Sequence, residues 1–146
     1  MTDPETARRA LMARKFIEAI PYARVLGMDV VDIGDGRAVI GMNYDTRLVG
    51  DPETGVIHGG AVSALMDTCG GAAVMSHPAA PGGTATLDLR IDYMRPAKPG
   101  DRITATAECY HMTRSVAFVR ATAVDGDPSR PVATATGAFT IEGGKR

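Results

Sequence analysis

The triplet His58-Gly59-Gly60, followed after six residues by Asp67, holds the side chains and bare backbone in this chain best suited to chemistry. A helix begins with backbone N–H groups that no intrahelical carbonyl accepts. A glycine pair at that point lets a substrate oxygen approach closely, so the turn is a ready oxyanion site. Residues 61–75 carry a single charge, Asp67, among small and apolar residues. They read as a helix apolar all round and therefore buried. A buried carboxylate has two readings: it is satisfied by backbone donors or by Thr68, or it attacks a carbonyl carbon or deprotonates a water beside one. At a rise of roughly 1.5 Å per residue, Gly59 and Asp67 lie about 12 Å apart along the axis. One carbonyl cannot touch both. If both serve one reaction, the second comes from another copy of the helix running antiparallel, as a two-fold dimer supplies.

The neighbouring residues carry alternatives of the same kind. His58 either caps or packs under the helix, or it takes an acid–base role. Gly59 and Gly60 either allow a tight turn or present N–H groups to a developing oxyanion, an effect of about 3 to 4 kcal/mol per donor. Gly70 and Gly71 cost about 1 kcal/mol each inside a helix. They imply close packing against strands or a partner helix.

The elements that must position these residues follow from periodicity. Asp3 and Pro4 start a helix as N-cap and first helical residue. Ala7, Leu11, Phe16 and Ile20 are read as its apolar face, and it ends at Pro21. Met28 to Ile33 and Arg37 to Asn43 are β-prone runs around Gly34-Asp35-Gly36, a hairpin signal. Arg47 to Gly55 reads as a polar loop delivering the chain to His58, and residues 77–83 as a second loop. Four period-two runs follow, Thr84 to Met94, Arg102 to Met112, Ser115 to Val124 and Val132 to Glu142. In the first, Leu87, Leu89, Ile91 and Tyr93 are expected on one face, and Thr86, Asp88, Arg90 and Asp92 on the other. One long buried helix with a hairpin before it and four strands after gives an α+β domain whose sheet wraps the helix.

Composition bounds the rest. A chain of 146 residues, 45% hydrophobic, suits a single domain over 1–146, with an N-terminal helix over 1–20, a core over 21–142 and a tail at 143–146. Sixteen basic and seventeen acidic side chains leave a net charge of −1, which argues against nucleic-acid or membrane-surface partners and for a small molecule. Cys69 and Cys109 show no disulfide or zinc spacing, and a reduced cytoplasm fits. The first twenty residues carry Arg8, Arg9, Arg14 and Lys15 with no uncharged run, so they are not read as a signal peptide. Neither GxSxG, a P-loop, HExxH nor GxGxxG after a strand occurs, and His58, His77 and His111 lack metal-ligand spacing.

The His58-Gly59-Gly60 to Asp67 stretch, together with Thr86-Leu87-Asp88-Leu89-Arg90-Ile91-Asp92-Tyr93-Met94-Arg95-Pro96-Ala97, resembles the hotdog-fold acyl-CoA thioesterases of the PaaI-like, phenylacetate-pathway type over residues 21–142. The resemblance implies a hotdog fold, a long central helix wrapped by an antiparallel sheet of about six strands. It implies hydrolysis of acyl-CoA to a free acid and CoA without metal or cofactor. Asp67 is then base or nucleophile, Gly59 the principal oxyanion donor beside Gly60, and His58 a shaper of the thioester pocket. Thr86 matches the family's serine or threonine that positions the attacking water. Arg95, Lys98 and Arg114, near strand ends, would either meet the CoA phosphates or be solvated surface charge. A homo-oligomer is implied too, a dimer or a dimer of dimers (a homotetramer), with active sites at the dimer interface. The chain departs from the pattern at Pro52, where several relatives carry an asparagine six residues before the histidine. The rivals are a hotdog-fold hydratase or dehydratase, which needs His58 for proton transfer, and a non-catalytic acyl-CoA-binding protein.

Overall fold

The structure is a computed structural model that describes residues 3–80 and 82–142, so the expected tail at 143–146 lies outside the described residues. Helix α1 (Pro4–Ala19) starts as its sequence dictates, with the Asp3 carboxylate accepting the Thr6 N–H at 3.2 Å. Its buried face differs from the expected one. Ala13 and Ile17 are buried, whereas Leu11 and Phe16 are 51% and 56% exposed. The five-residue step from Leu11 to Phe16 turns the helix by about 140°, while Ala10, Ala13, Ile17 and Ile20 follow three- and four-residue steps and stay together. Pro21 ends α1 and opens a short second helix, α2 (Pro21–Val25), since proline is accommodated in a first turn.

Strands β1 (Met28–Gly34) and β2 (Arg37–Met42) form the expected hairpin, with Asp35 and Gly36 at φ of 51° and 80° in the two left-handed positions of a tight turn. The stretch read as a loop is more ordered than expected. A 3₁₀ turn (Thr46–Leu48) leads into a small antiparallel ladder of β3 (Val49–Asp51) and β4 (Val56–Ile57). Two- and three-residue strands are too short to show a period.

Helix α3 (Gly59–Ser76) crosses the inner face of a six-stranded antiparallel sheet with order β1-β2-β6-β7-β8-β5, in which β5 is Thr86–Tyr93, β6 Ile103–Met112, β7 Val116–Val124 and β8 Ala133–Thr140. The inner face is paved with alanines such as Ala105, Ala107 and Ala121, so the helix lies close to the strands. Gly70 takes this furthest, because a Cβ there would come within 2.9 Å of the Phe139 ring. The Ser76 hydroxyl accepts the Gly36 N–H at 3.1 Å and ties the end of α3 to the hairpin turn.

Two expectations about burial need correction. Helix α3 is not covered all round: Ser63, Ala64, Asp67, Thr68, Gly71 and Met75, spaced by three and four residues, form an arc that the chain only half covers. In β5, Leu89 and Ile91 are half-buried, but Leu87 and Tyr93 are 59% and 53% exposed. β5 is an edge strand, and a bulge between Thr86 and Asp88 takes Leu87 out of register with β8.

Candidate active site

The glycine turn is held from three sides. The β3–β4 ladder brings His58 to where its N–H donates to the Leu48 carbonyl at 2.8 Å. Gly50 makes this possible, since a Cβ there would lie 2.8 Å from His58 Cα. As N-cap of α3, His58 accepts the Gly60 N–H on Nδ1 at 2.7 Å, so the neutral ring carries its proton on Nε2. The two amides expected to hold an oxyanion are therefore not equivalent. The Gly60 N–H is spent on the cap, whereas the Gly59 N–H, first in the helix, has no acceptor among the described residues. Tyr93 supplies the third support, donating its hydroxyl to the Gly59 carbonyl at 3.0 Å with its ring against the bare Cα face. The alternation of β5 places Tyr93 only on an apolar face, because period two says where a ring points and not what its hydroxyl meets. A groove of about 420 Å³ opens beside Gly59, lined by Val62, Tyr93, Met94 and Ala97.

Two turns further along α3, Asp67 Oδ1 accepts a hydrogen bond from Thr86 Oγ1 at 2.6 Å. The hydroxyl is the donor in this bond and the carboxylate oxygen the acceptor. This bond orients the carboxylate on the half-covered face of the helix. Cys69, two residues on, takes no part in such chemistry. Burial pushes its thiol up to about 12, and its Sγ faces the Ala38 and Ala105 carbonyls. Within one chain Asp67 and Gly59 remain eight residues apart, about 12 Å along the axis.

The expected phosphate ligands do not converge. Arg95 is turned inward, its guanidinium clasping the Asp125 carboxylate at 2.6 and 2.8 Å and the Arg130 carbonyl at 2.7 Å. Lys98 is exposed at the same end of the sheet and gives its backbone N–H to Asp125 at 3.0 Å. Arg114 lies in the β6–β7 turn, at the opposite, Thr86 end. Pro52 sits exposed in the β3–β4 turn and offers no donor.

The Arg95 guanidinium holds the Asp125 carboxyl well below the usual carboxylate range, against the opposing effect of burial. A depressed native value means that the pair's stabilisation is present above about pH 4, the ordinary value of an unfolded aspartate, and is lost as pH falls below it. Arg95→Ala strands a carboxylate that is 2% exposed, and urea unfolding at pH 7 should show a loss of about 3 to 5 kcal/mol. The gap between variant and wild type should narrow as pH drops below 4, because protonated Asp125 no longer needs the cation. An equal gap at both pH values would contradict this account of the pair.

Among the described residues no three His, Cys, Asp or Glu side chains stand together as metal ligands, and no helix is long and apolar enough to cross a membrane. Comparison with known proteins agrees with the geometry. Residues 54–132, from the β3–β4 turn to the start of β8, match the family model of the thioesterase superfamily. The medium/long-chain acyl-CoA thioesterase YigI of Escherichia coli K12 is 26% identical, over 93% of this chain and 96% of its own. E. coli PaaI, an acyl-coenzyme A thioesterase, is 33% identical over 61% of this chain and 60% of its own. The solved PaaI structure superposes with a TM-score of 0.84, covering 96% of this chain and 98% of that one at 26% identity. A Pseudomonas aeruginosa crystal structure reaches 0.80 at 39% identity, covering 90% and 98%. With the family model matched over residues 54–132 and its central helix and six-stranded sheet shared with solved relatives, the chain belongs to the thioesterase superfamily and is a thioester hydrolase of the PaaI-like hotdog type.

Proposed function

We propose that the protein hydrolyses acyl-CoA at a site shared by two copies of the chain, Asp67 coming from one and Gly59 from the other. The observation that carries this reading is the Thr86–Asp67 hydrogen bond on the half-covered arc of α3. An oriented carboxylate on a face that its own chain only half covers needs a second surface to complete a pocket. The edge strand supplies the means of association. Leu87, Tyr93 and Met94 form an exposed apolar strip along or just beyond β5, whose outer edge is unpaired. Two copies related by a two-fold axis would pair these strands and lay the α3 arcs antiparallel, bringing each Asp67 to the partner's glycine turn. Two such dimers would make the homotetramer of the family resemblance, and two free cysteines suit a reducing cytoplasm.

In the reaction we infer, Asp67 Oδ2 accepts a proton from water as the water oxygen attacks the thioester carbonyl. The Thr86 hydroxyl keeps its proton and donates it in a hydrogen bond to Oδ1, so its oxygen is available to accept a hydrogen bond from the water's second hydrogen. The carbonyl oxygen gains negative charge and meets the Gly59 N–H of the other copy, helped by the positive end of α3. Collapse of the tetrahedral intermediate breaks the C–S bond, and the departing CoA thiolate takes up the proton. His58 acts through its cap by fixing the turn, whereas a hydratase would need this ring to carry protons. YigI, by its name, acts on medium and long acyl chains, and we extend that range to this chain.

Thr86→Ala tests the reading. Loss of the hydroxyl frees the carboxylate and the water, so kcat should fall by about 10- to 100-fold with KM little changed and the circular dichroism intact. Thr86→Ser should recover most of the rate. Unchanged turnover in folded Thr86→Ala would remove this residue from the mechanism.

A further inference from the structure

On the far side of Asp67 from its N-terminus, α3 runs into a second groove. A cavity of about 430 Å³ lies between α1 and the end of α3, walled by Met12 and Phe16, floored by Met75, with Arg8 and Arg9 on its rim and Ala80 closing one side. Met12 and Phe16 are 60% and 56% exposed although neighbours on one helix face, and solvent is a poor partner for such a ridge. The route to it starts at the active site. Asp67, Gly71 and Met75 lie on successive turns of the half-covered arc, a path of about 12 Å. Gly71 narrows that path least, because it has no side chain and even a Cβ there would only touch the Thr84 methyl at 3.9 Å and the Phe139 ring at 4.0 Å. No charged side chain lies on α3 between Asp67 and the groove.

We propose that this groove is the acyl-chain subsite and α1 its wall, which makes the substrates unbranched acyl-CoAs of medium to long chain. The inference rests on the shared-site reading of Asp67. With the thioester at Asp67 and the partner's Gly59, the substrate's two arms leave in opposite directions. The CoA arm takes the groove beside the partner's Tyr93, and the alkyl arm takes the path over Gly71. An unbranched alkyl chain suits that path because no charged side chain lies on it and it is narrow even at Gly71, and flexible Met12 and Met75 adapt to chains of different length. The amides of the pantetheine arm would go unsatisfied there. Arg9 on the rim is already paired with Glu5 at 3.2 Å.

The test is a series from butanoyl- to hexadecanoyl-CoA, with kcat/KM measured for wild type, Asp67→Asn, Phe16→Asp and Phe16→Leu. Wild type should gain about fourfold per methylene until the groove is full. Phe16→Asp should flatten that slope, so that its loss deepens with chain length, while Phe16→Leu keeps it. Inhibition by free CoA and the mass in solution should be the same in Phe16→Asp as in wild type. A wild-type profile that is flat while Asp67→Asn is inactive would overturn the groove and leave the Asp67 reading standing. An equal loss at every chain length, altered inhibition by CoA, or a changed mass in Phe16→Asp would also overturn it. If Asp67→Asn turned over every substrate as wild type does, the shared-site reading would fail, and the groove with it.

Discussion

Asp67→Asn should lower kcat by about 10² to 10⁴ while KM changes little. The asparagine keeps the size of the side chain, and its carbonyl oxygen can still accept the Thr86 hydroxyl that now lies 2.6 Å away. What disappears is the ability to take a proton from water, and that matters only as the transition state forms. The substitution therefore separates the carboxylate's chemistry from its packing more cleanly than alanine would. Steady-state constants for one acyl-CoA decide the matter, with the melting temperature as a check on folding. Turnover within a few-fold of wild type would remove Asp67 from the chemical step. The site would then have to be sought elsewhere on the half-covered arc of α3.

Much of the scaffold around this residue was legible in the sequence because local rules act without help there. Asp3-Pro4 starts α1 as a capped helix, and Asp35-Gly36 turns the hairpin, each by its own backbone preference. The four long strands follow their period-two runs to within a few residues at each end. The glycine turn falls at the first turn of α3, where the missing side chains placed it.

What was not legible depends on partners distant in sequence or on choices of rotamer. The charge of Arg95 suggested a ligand for phosphate, but its partner Asp125 lies thirty residues away, beyond strands β6 and β7, and only the fold brings them together. His58 could be read as cap or as acid–base group with equal justice, and only the folded chain shows its Nδ1 accepting the Gly60 N–H as a cap. Tyr93 belongs to the site through a hydroxyl that no periodicity reveals. The alternation in β5 told its two faces apart but not that it is an edge strand, so the exposure of Leu87 could not be foreseen. Likewise the composition of α3 announced a helix shielded on every side, and the half-covered arc through Asp67 emerges only once one chain is folded alone.

That arc leads to the central claim, that Gly59 and Asp67 meet only between copies. Gly59→Val places a branched side chain over the first amide of α3, where even a Cβ comes to 3.5 Å from the Tyr93 ring, and should abolish activity. Asp67→Asn should be nearly inactive for the chemical reason given above. Subunits of the two variants are allowed to exchange, and mass spectrometry confirms that mixed dimers form. Each mixed dimer then holds one site with both lesions and one site with neither. Random mixing makes half of the dimers mixed, so about a quarter of wild-type activity should return. If each site were built within one chain, every site in the mixture would carry a lesion, and the absence of any recovery would contradict the shared site.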